Sequence, residues 1–353
     1  MSVSAPAGAP DSDHMWETTF ALPEQVALGA ATAAEVASAG LPSADGITSV
    51  VAFGMGGSGI GNDILAAIAG PISPVPVVVC KDYEAPAFIG TNTLVVAASF
   101  SGNTEETVGA ATAALALGGR LVVVAGGGEL TALAARAGAP AIPVPRDIPH
   151  PRAAIGPMAV APLVVLEAMG LLPGASRLIA ATVAQLSRRR DQLAAAPGAN
   201  LATDVARRIG RTIPLVYGGG PIGRAAAMRW KTQVNENPKS PAFSAAYPEL
   251  CHNELTGWGQ LGDVTRQIIT LVDLRHDFEH PQVARRFALV DEVMDEIVAG
   301  TVVVRAAGEG PLAQLFDLVF VGDVVALTLA ANEGVDPGPI PVLEDLKIAL
   351  ARE

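Results

Sequence analysis

Two glycine-rich stretches and one hydroxyl-rich stretch are where this chain could hold an anion. Gly54-Met55-Gly56-Gly57-Ser58-Gly59 and Gly218-Gly219-Gly220-Pro221-Ile222-Gly223 both fit G-x-G-x-x-G. Between a strand and a helix, such a run lets backbone N–H groups approach a phosphate, most familiarly that of a dinucleotide. Asp82 lies at a tolerable distance for the ribose contact of that reading. Alone the pattern is weak, because glycines also serve simply to make a tight turn. Ser99-Phe100-Ser101-Gly102-Asn103-Thr104-Glu105-Glu106-Thr107 alters its meaning. Here hydroxyls surround one glycine where a helix opens, and hydroxyl and amide donors at a positive helix end cradle an anion. Together with Ser58, the residues Ser99, Ser101 and Thr104 could wrap one phosphate without a lysine. Ordinary capping by Ser101 or Thr104 explains part of this pattern. Four hydroxyls on two converging strand ends exceed what capping needs, and they argue against a nicotinamide-dependent oxidoreductase.

Four charged residues could do the remaining chemistry. Glu236 ends a helix between Asn235 and Asn237, two side chains able to orient a carboxylate. His252 lies among Glu249, Asn253 and Glu254, and imidazole passes protons either way near neutrality. Arg152 follows Pro151 and precedes a helix, and its permanent charge and planar fork suit an oxyanion. Lys347 sits on the last helix, after the Pro/Gly breaker Asp336–Pro341. Taken singly, Glu236, His252 and Lys347 also read as solvated surface residues. The other histidines, His14, His150, His276 and His280, show no metal spacing, and Cys251 beside His252 is one pair only. Neither a metal nor a cofactor is expected.

The glycine motif followed 45 residues later by the SGNT motif (99 minus 54) resembles the sugar isomerase (SIS) domain. His150-Pro151-Arg152, Asn235-Glu236-Asn237-Pro238-Lys239, Pro248-Glu249-Leu250-Cys251-His252-Asn253-Glu254 and Leu346-Lys347 resemble one branch of it. That branch is the bifunctional phosphoglucose/phosphomannose isomerases, and the similarity runs from about Val50 to Lys347. The resemblance implies a cofactor-free aldose–ketose isomerase of sugar 6-phosphates working through a cis-enediol. It implies that Gly57, Ser58, Ser99, Ser101 and Thr104 bind the phosphate and that Glu236 carries the proton between C1 and C2. It implies that Arg152 faces the enediolate and that His252 and Lys347 open the ring. It further implies a homodimer in which His252 reaches the site whose Glu236 belongs to the partner. A non-catalytic, sugar-phosphate-binding regulatory SIS protein would keep the hydroxyls but need no base.

Elements that could position these residues alternate along the chain. Strands are expected at Ile47–Phe53, Pro76–Cys80, Leu94–Ser99, Leu121–Ala125 and Ala141–Val144, with helices at Asn62–Ala69, Glu105–Leu117, Leu130–Ala137 and Ile155–Leu171. The alternation restarts with strands at Ile213–Tyr217, Gln267–Leu274 and Thr301–Arg305, and helices at Ile222–Val234, Pro281–Val298, Leu312–Asn332 and Val342–Ala351. This is an α/β pattern, and two doubly wound lobes with parallel sheets flanked by helices are expected. The expected division is a tail and helix over 1–45, a first SIS domain over 46–174 and a helical connector over 175–211. A second SIS domain over 212–335 and a C-terminal helix over 336–353 complete it.

With 353 residues, half of them hydrophobic and 16% charged, the chain can bury two cores. No apolar run long enough to cross a membrane is free of Gly, Pro or charge, so no membrane association is expected. A net charge of −12 argues against nucleic acid. Met1–Asp13 lacks the features of a signal peptide and reads as a disordered tail. Cys80 and Cys251 read as reduced thiols of a cytoplasmic protein.

Overall fold

The computed structural model describes residues 3–196 and 198–350. A short helix, α1 (Met15–Phe20), and a longer one, α2 (Leu22–Ala39), precede the first sheet. That sheet takes β1 (Ser49–Phe53), β2 (Val77–Cys80), β3 (Thr93–Ser99), β4 (Arg120–Ala125) and β5 (Ala141–Pro143) in the order β2-β1-β3-β4-β5. All its pairs are parallel, with Val51 beside Val95 and Phe53 beside Ala97. Crossovers are made by α3 (Gly56–Ala69), α4 (Glu105–Ala116) and α5 (Gly128–Ala137). Burial on both faces explains why β1 and β3 read as unbroken apolar runs rather than alternating ones.

After α6 (Ile155–Ala168), α7 (Ala175–Ala195) and α8 (Leu201–Ile209), a second parallel sheet forms. Its strands are β6 (Ile213–Gly219), β7 (Phe243–Tyr247), β8 (Ile269–Arg275) and β9 (Gly300–Arg305), in the order β7-β6-β8-β9. The intervening helices are α9 (Gly220–Glu236), α10 (Gly262–Ile268) and α11 (Pro281–Met294), and α12 (Pro311–Asn332) and α13 (Pro341–Leu350) follow. One core joins the facing sides of both sheets, with Val50, Val96, Val216 and Val272 packed around α6, α9 and α12. Separate cores lie on the outer faces, under α4 and α5 in one lobe and under α11 in the other. The segments Pro151–Ala168 and Pro311–Asn332 are long and apolar enough to cross a membrane, but 83% and 100% of the apolar 18-residue stretch in each lies buried inside the protein. They are the innermost helices of this shared core.

Several expectations need correction. The glycine run is not a loop before α3 but its first turn, since α3 begins at Gly56. Strand β7 has no counterpart among the expected elements: Phe243–Tyr247 is a short edge strand between two prolines. The connector is two helices, broken ahead of Asn200, whose side chain accepts a hydrogen bond from Thr203 N at 3.0 Å and starts α8. The tail is not loose as far as Asp13. The Asp11 carboxylate takes the N–H groups of Met15 and Trp16, and Asp13 Oδ2 lies 2.8 Å from His150 Nε2. Met1, Ser2 and the expected last helical residue, Ala351, lie outside the described residues.

Candidate active site

Strands β1 and β3 are neighbours, but the chain leaves them in opposite directions, to β2 and to β4. Ligands bind outside the carboxyl ends of the strands at such a switch point. The starts of α3 and α4 meet there. Phe100 N donates to Ser58 Oγ at 3.2 Å, which ties the two loops together. Gly102 N donates to Ser99 Oγ at 3.0 Å, and Ser99 Oγ lies 2.8 Å from Thr104 Oγ1. Asn103 N donates to Ser101 Oγ at 3.1 Å. Backbone amides thus orient the hydroxyls of Ser58 and Ser101 while each keeps its own proton to give. Thr104 is the residue preceding α4, yet neither its side chain nor that of Met55 caps the helix that follows. The first amides of α3 and α4 are left for another acceptor.

Two glycines permit this geometry. Gly102 adopts φ 73°, and a Cβ there would lie 1.6 Å from the carbonyl oxygen of Gly127. At Gly57 a Cβ would come within 2.9 Å of the Pro151 carbonyl and 3.3 Å of Arg152 Cα. The start of α3 therefore rests directly on the backbone that carries Arg152.

Arg152 is only 3% exposed. Its Nε donates to Asn237 Oδ1 at 3.0 Å, and its Nη2 donates to the carbonyls of Pro337 and Gly338 at 2.5 and 2.6 Å. Nη1 lies 3.8 Å from Glu236 Oε2, an ion-pair separation rather than a hydrogen bond. Burial lowers the Arg152 pKa from its ordinary value, and the Glu236 carboxylate opposes that shift. Glu236 itself stays partly open to solvent. Lys239 takes a left-handed φ of 58°, which returns its Nζ to the carbonyls of Glu236, Asp336 and Pro337 at 2.8, 2.9 and 3.2 Å. Burial, with help from Arg152, lowers the Lys239 pKa.

The chain thus brings together Gly57, Ser58, Ser99, Ser101, Thr104, Arg152 and Glu236. It does not bring His252 to them. Tyr247 pairs with Gly219 at the end of β6, and His252 follows in a 3-10 turn near the start of α9. Glu236 is the last residue of α9, roughly 24 Å away along a 17-residue helix. Lys347 lies on α13, which buries none of its residues. The chain leading to that helix is held at the site, because Pro337 and Gly338 accept from Arg152. A cavity of about 660 Å³ lies elsewhere, on the tail side of His150, lined by Asp13, Glu17, Gln25 and Pro149. Among the described residues, no three His, Cys, Asp or Glu side chains are grouped to hold a metal.

Asn235 and Asn237 do not orient Glu236 as expected: Asn235 Nδ2 donates to the Ser240 carbonyl and Asn237 Oδ1 accepts from Arg152 Nε. Lys239, in the same motif, has no task legible in the sequence. The positive φ of Lys239 and the 336–338 strap it holds have no signature in the sequence.

Comparison with known proteins bears on what this site belongs to. Residues 198–350 match the model of the bacterial phospho-glucose isomerase C-terminal SIS domain. The chain is 33% identical over 346 residues to a bifunctional phosphoglucose/phosphomannose isomerase of Caldicellulosiruptor bescii, covering 96% of this chain and 99% of that one. A protein of the same name from Thermoplasma acidophilum is 33% identical over 310 residues, 85% of this chain and 89% of that one. Among solved structures, tagatose-6-phosphate ketose/aldose isomerase from Escherichia coli shares the fold. Its TM-score is 0.68 at 16% identity, over 92% of this chain and 95% of that one. Full-length similarity at this level, over a chain whose hydroxyl-lined switch point adjoins a paired arginine and glutamate, makes this protein a member of the bifunctional phosphoglucose/phosphomannose isomerase family.

Proposed function

We propose that this protein interconverts glucose 6-phosphate and mannose 6-phosphate with fructose 6-phosphate through a cis-enediol, with no metal or cofactor. The phosphate sits where α3 and α4 begin, accepting hydrogen bonds from Ser58, from Ser101 and from the amides around Gly57. The Ser99–Thr104 pair adds another through whichever hydroxyl their mutual bond leaves free to donate. The two aldoses differ only at C2, and removal of the C2 proton gives both the same planar enediol. Glu236 carries that proton between C2 and C1. As it leaves, negative charge grows on the neighbouring oxygens. Nη1 of Arg152, the arm not committed to Asn237 or to the strap carbonyls, meets that charge. A buried guanidinium held on three sides needs no reorganisation at that moment.

The observation that carries this reading is the approach of buried Arg152 to accessible Glu236 at 3.8 Å beside Gly57. Ring opening falls to His252 and Lys347. Because His252 and Glu236 occupy opposite ends of α9, the reading includes a homodimer in which each chain lends its His252 to the partner's site. It also takes residues 46–174 and 212–335 as two SIS domains, joined by 175–211 and followed by 336–353. A cytoplasmic location belongs to the same reading, and the free thiols of Cys80 and Cys251 suit it.

The test is a coupled assay of the purified protein on all three sugar phosphates, beside Glu236→Gln. The amide keeps the shape and loses the base, so isomerisation should fall by roughly 10²–10⁴-fold. Deuterium exchange at C2 is the direct readout, and exchange at the wild-type rate in the variant would assign the proton to another residue. Binding of all three sugars with turnover of none would favour the regulatory SIS alternative.

A further inference from the structure

Arg229 is 2% exposed, yet it carries a full charge into the core between the two sheets. Asp323 on α12, itself 5% exposed, receives Nε and Nη2 at 2.9 and 2.7 Å. The same Nη2 donates to the carbonyl oxygen of Arg152 at 2.7 Å. One turn along α9 from Arg229 comes Gln233, and one turn further Asn237, so the three share a helix face. The Gln233 carboxamide is wedged between its neighbours. One terminal atom lies 2.8 Å from Asn237 Nδ2, and the other lies 2.6–3.1 Å from the Arg229 nitrogens. Asn237 then accepts from Arg152 Nε. Arg152 is thereby held by the buried pair at its backbone carbonyl, while Asn237, packed against Gln233 on the same helix face, takes its guanidinium.

Stability alone does not account for such a pair. A buried ion pair replaced by well-packed apolar side chains often leaves a protein equally stable or more so. What an apolar pair cannot do is fix the Arg152 carbonyl, and with it the backbone from which the guanidinium extends. We infer that Arg229 and Asp323 are positioning residues for the reaction, fixing Arg152 so that Nη1 meets the enediolate oxygens. This rests on the roles assigned above to Arg152 and Glu236. Their effect is orientational, and a displacement of about 1 Å at a reacting centre costs up to about 100-fold in rate.

The experiment replaces both partners at once, Arg229→Met with Asp323→Leu, so that no charge is left buried alone. Arg229→Lys is measured beside it, keeping the charge but losing the fork that serves Asp323 and the Arg152 carbonyl together. Two probes separate orientation from folding. A five-carbon aldonate phosphate presents a carboxylate where the enediolate forms, and a hexitol 6-phosphate presents only neutral hydroxyls there. Wild type should prefer the aldonate. The double variant, folded by circular dichroism, should lose roughly 10- to 100-fold in kcat and in aldonate affinity. Its hexitol phosphate affinity should stay within about twofold of wild type, because that ligand makes no charged contact with Nη1. Arg229→Lys should fall between the two, and it carries the test if the double variant does not fold. Wild-type kcat with an intact aldonate preference in either folded variant overturns the inference, as does an equal loss of affinity for both probes. A wild type that does not prefer the aldonate refutes the assignment of Arg152 instead, and this inference with it.

Discussion

Asp273 should hold a proton at neutral pH, and Asp273→Asn should therefore stabilise the protein increasingly as the pH rises. The residue sits in the middle of β8, fully buried, facing Tyr217, Tyr247 and Phe287. Neither of its oxygens has a donor among the described residues, nor has Oδ1 of Asp291 on α11. Burial first, then a hydrogen bond shared with Asp291 and the charge of that carboxylate, push the Asp273 carboxyl up to about 9. An unfolded Asp titrates near 3.9. The folded-state value is the raised one, so the folded chain binds more protons than the unfolded one between these limits. The stability contribution is complete below about pH 4 and is lost as pH rises toward 9. The slope is about 1.4 kcal/mol per pH unit, or about 3 kcal/mol between pH 5.5 and 8. Asparagine donates its amide hydrogen to Asp291 at every pH and removes that slope. With an m-value of about 3 kcal/mol/M, the urea midpoint of the variant should gain about 1 M on wild type between those pH values. Histidines titrating in this range affect both proteins alike and cancel in the difference. A variant-minus-wild-type midpoint that does not move between pH 5.5 and 8 would mean that Asp273 is ionised in the fold.

Thr104→Val should raise KM by roughly 10- to 100-fold with little change in kcat, since the phosphate is bound equally in ground and transition states. An unchanged KM would remove Thr104 and its partner Ser99 from the phosphate site. Activity should survive prolonged EDTA treatment and dialysis, and a loss that zinc restores would overturn the metal-free mechanism. Glu236→Gln and His252→Ala, each inactive alone, should regain roughly a quarter of wild-type activity when their subunits exchange, because half the dimers are mixed and carry one intact site of two. Mass spectrometry that detects mixed dimers in an inactive solution would refute the shared site.

The sequence alone determined what is local: the motifs, the strand–helix alternation and the residue types that suit the chemistry. Ser58 and Ser99 were legible as one site because parallel strands joined by crossovers put their carboxyl ends on one edge. Strand β7 escaped notice because a five-residue edge strand between prolines takes its stability from pairing with β6, not from its own pattern. The connector's break was hidden inside an Ala- and Arg-rich run whose helical propensity is high on both sides of Asn200. Only tertiary structure decided which charges meet. Arg152 finds Asn237 85 positions away and Pro337 185 away, and Arg229 finds Asp323 94 away. Tertiary structure also kept His252 apart from Glu236, by laying a rigid helix between them. The physical reason is that hydrogen bonds and buried charges are satisfied by whatever the packed core brings within reach, and no periodicity along the chain records that distance.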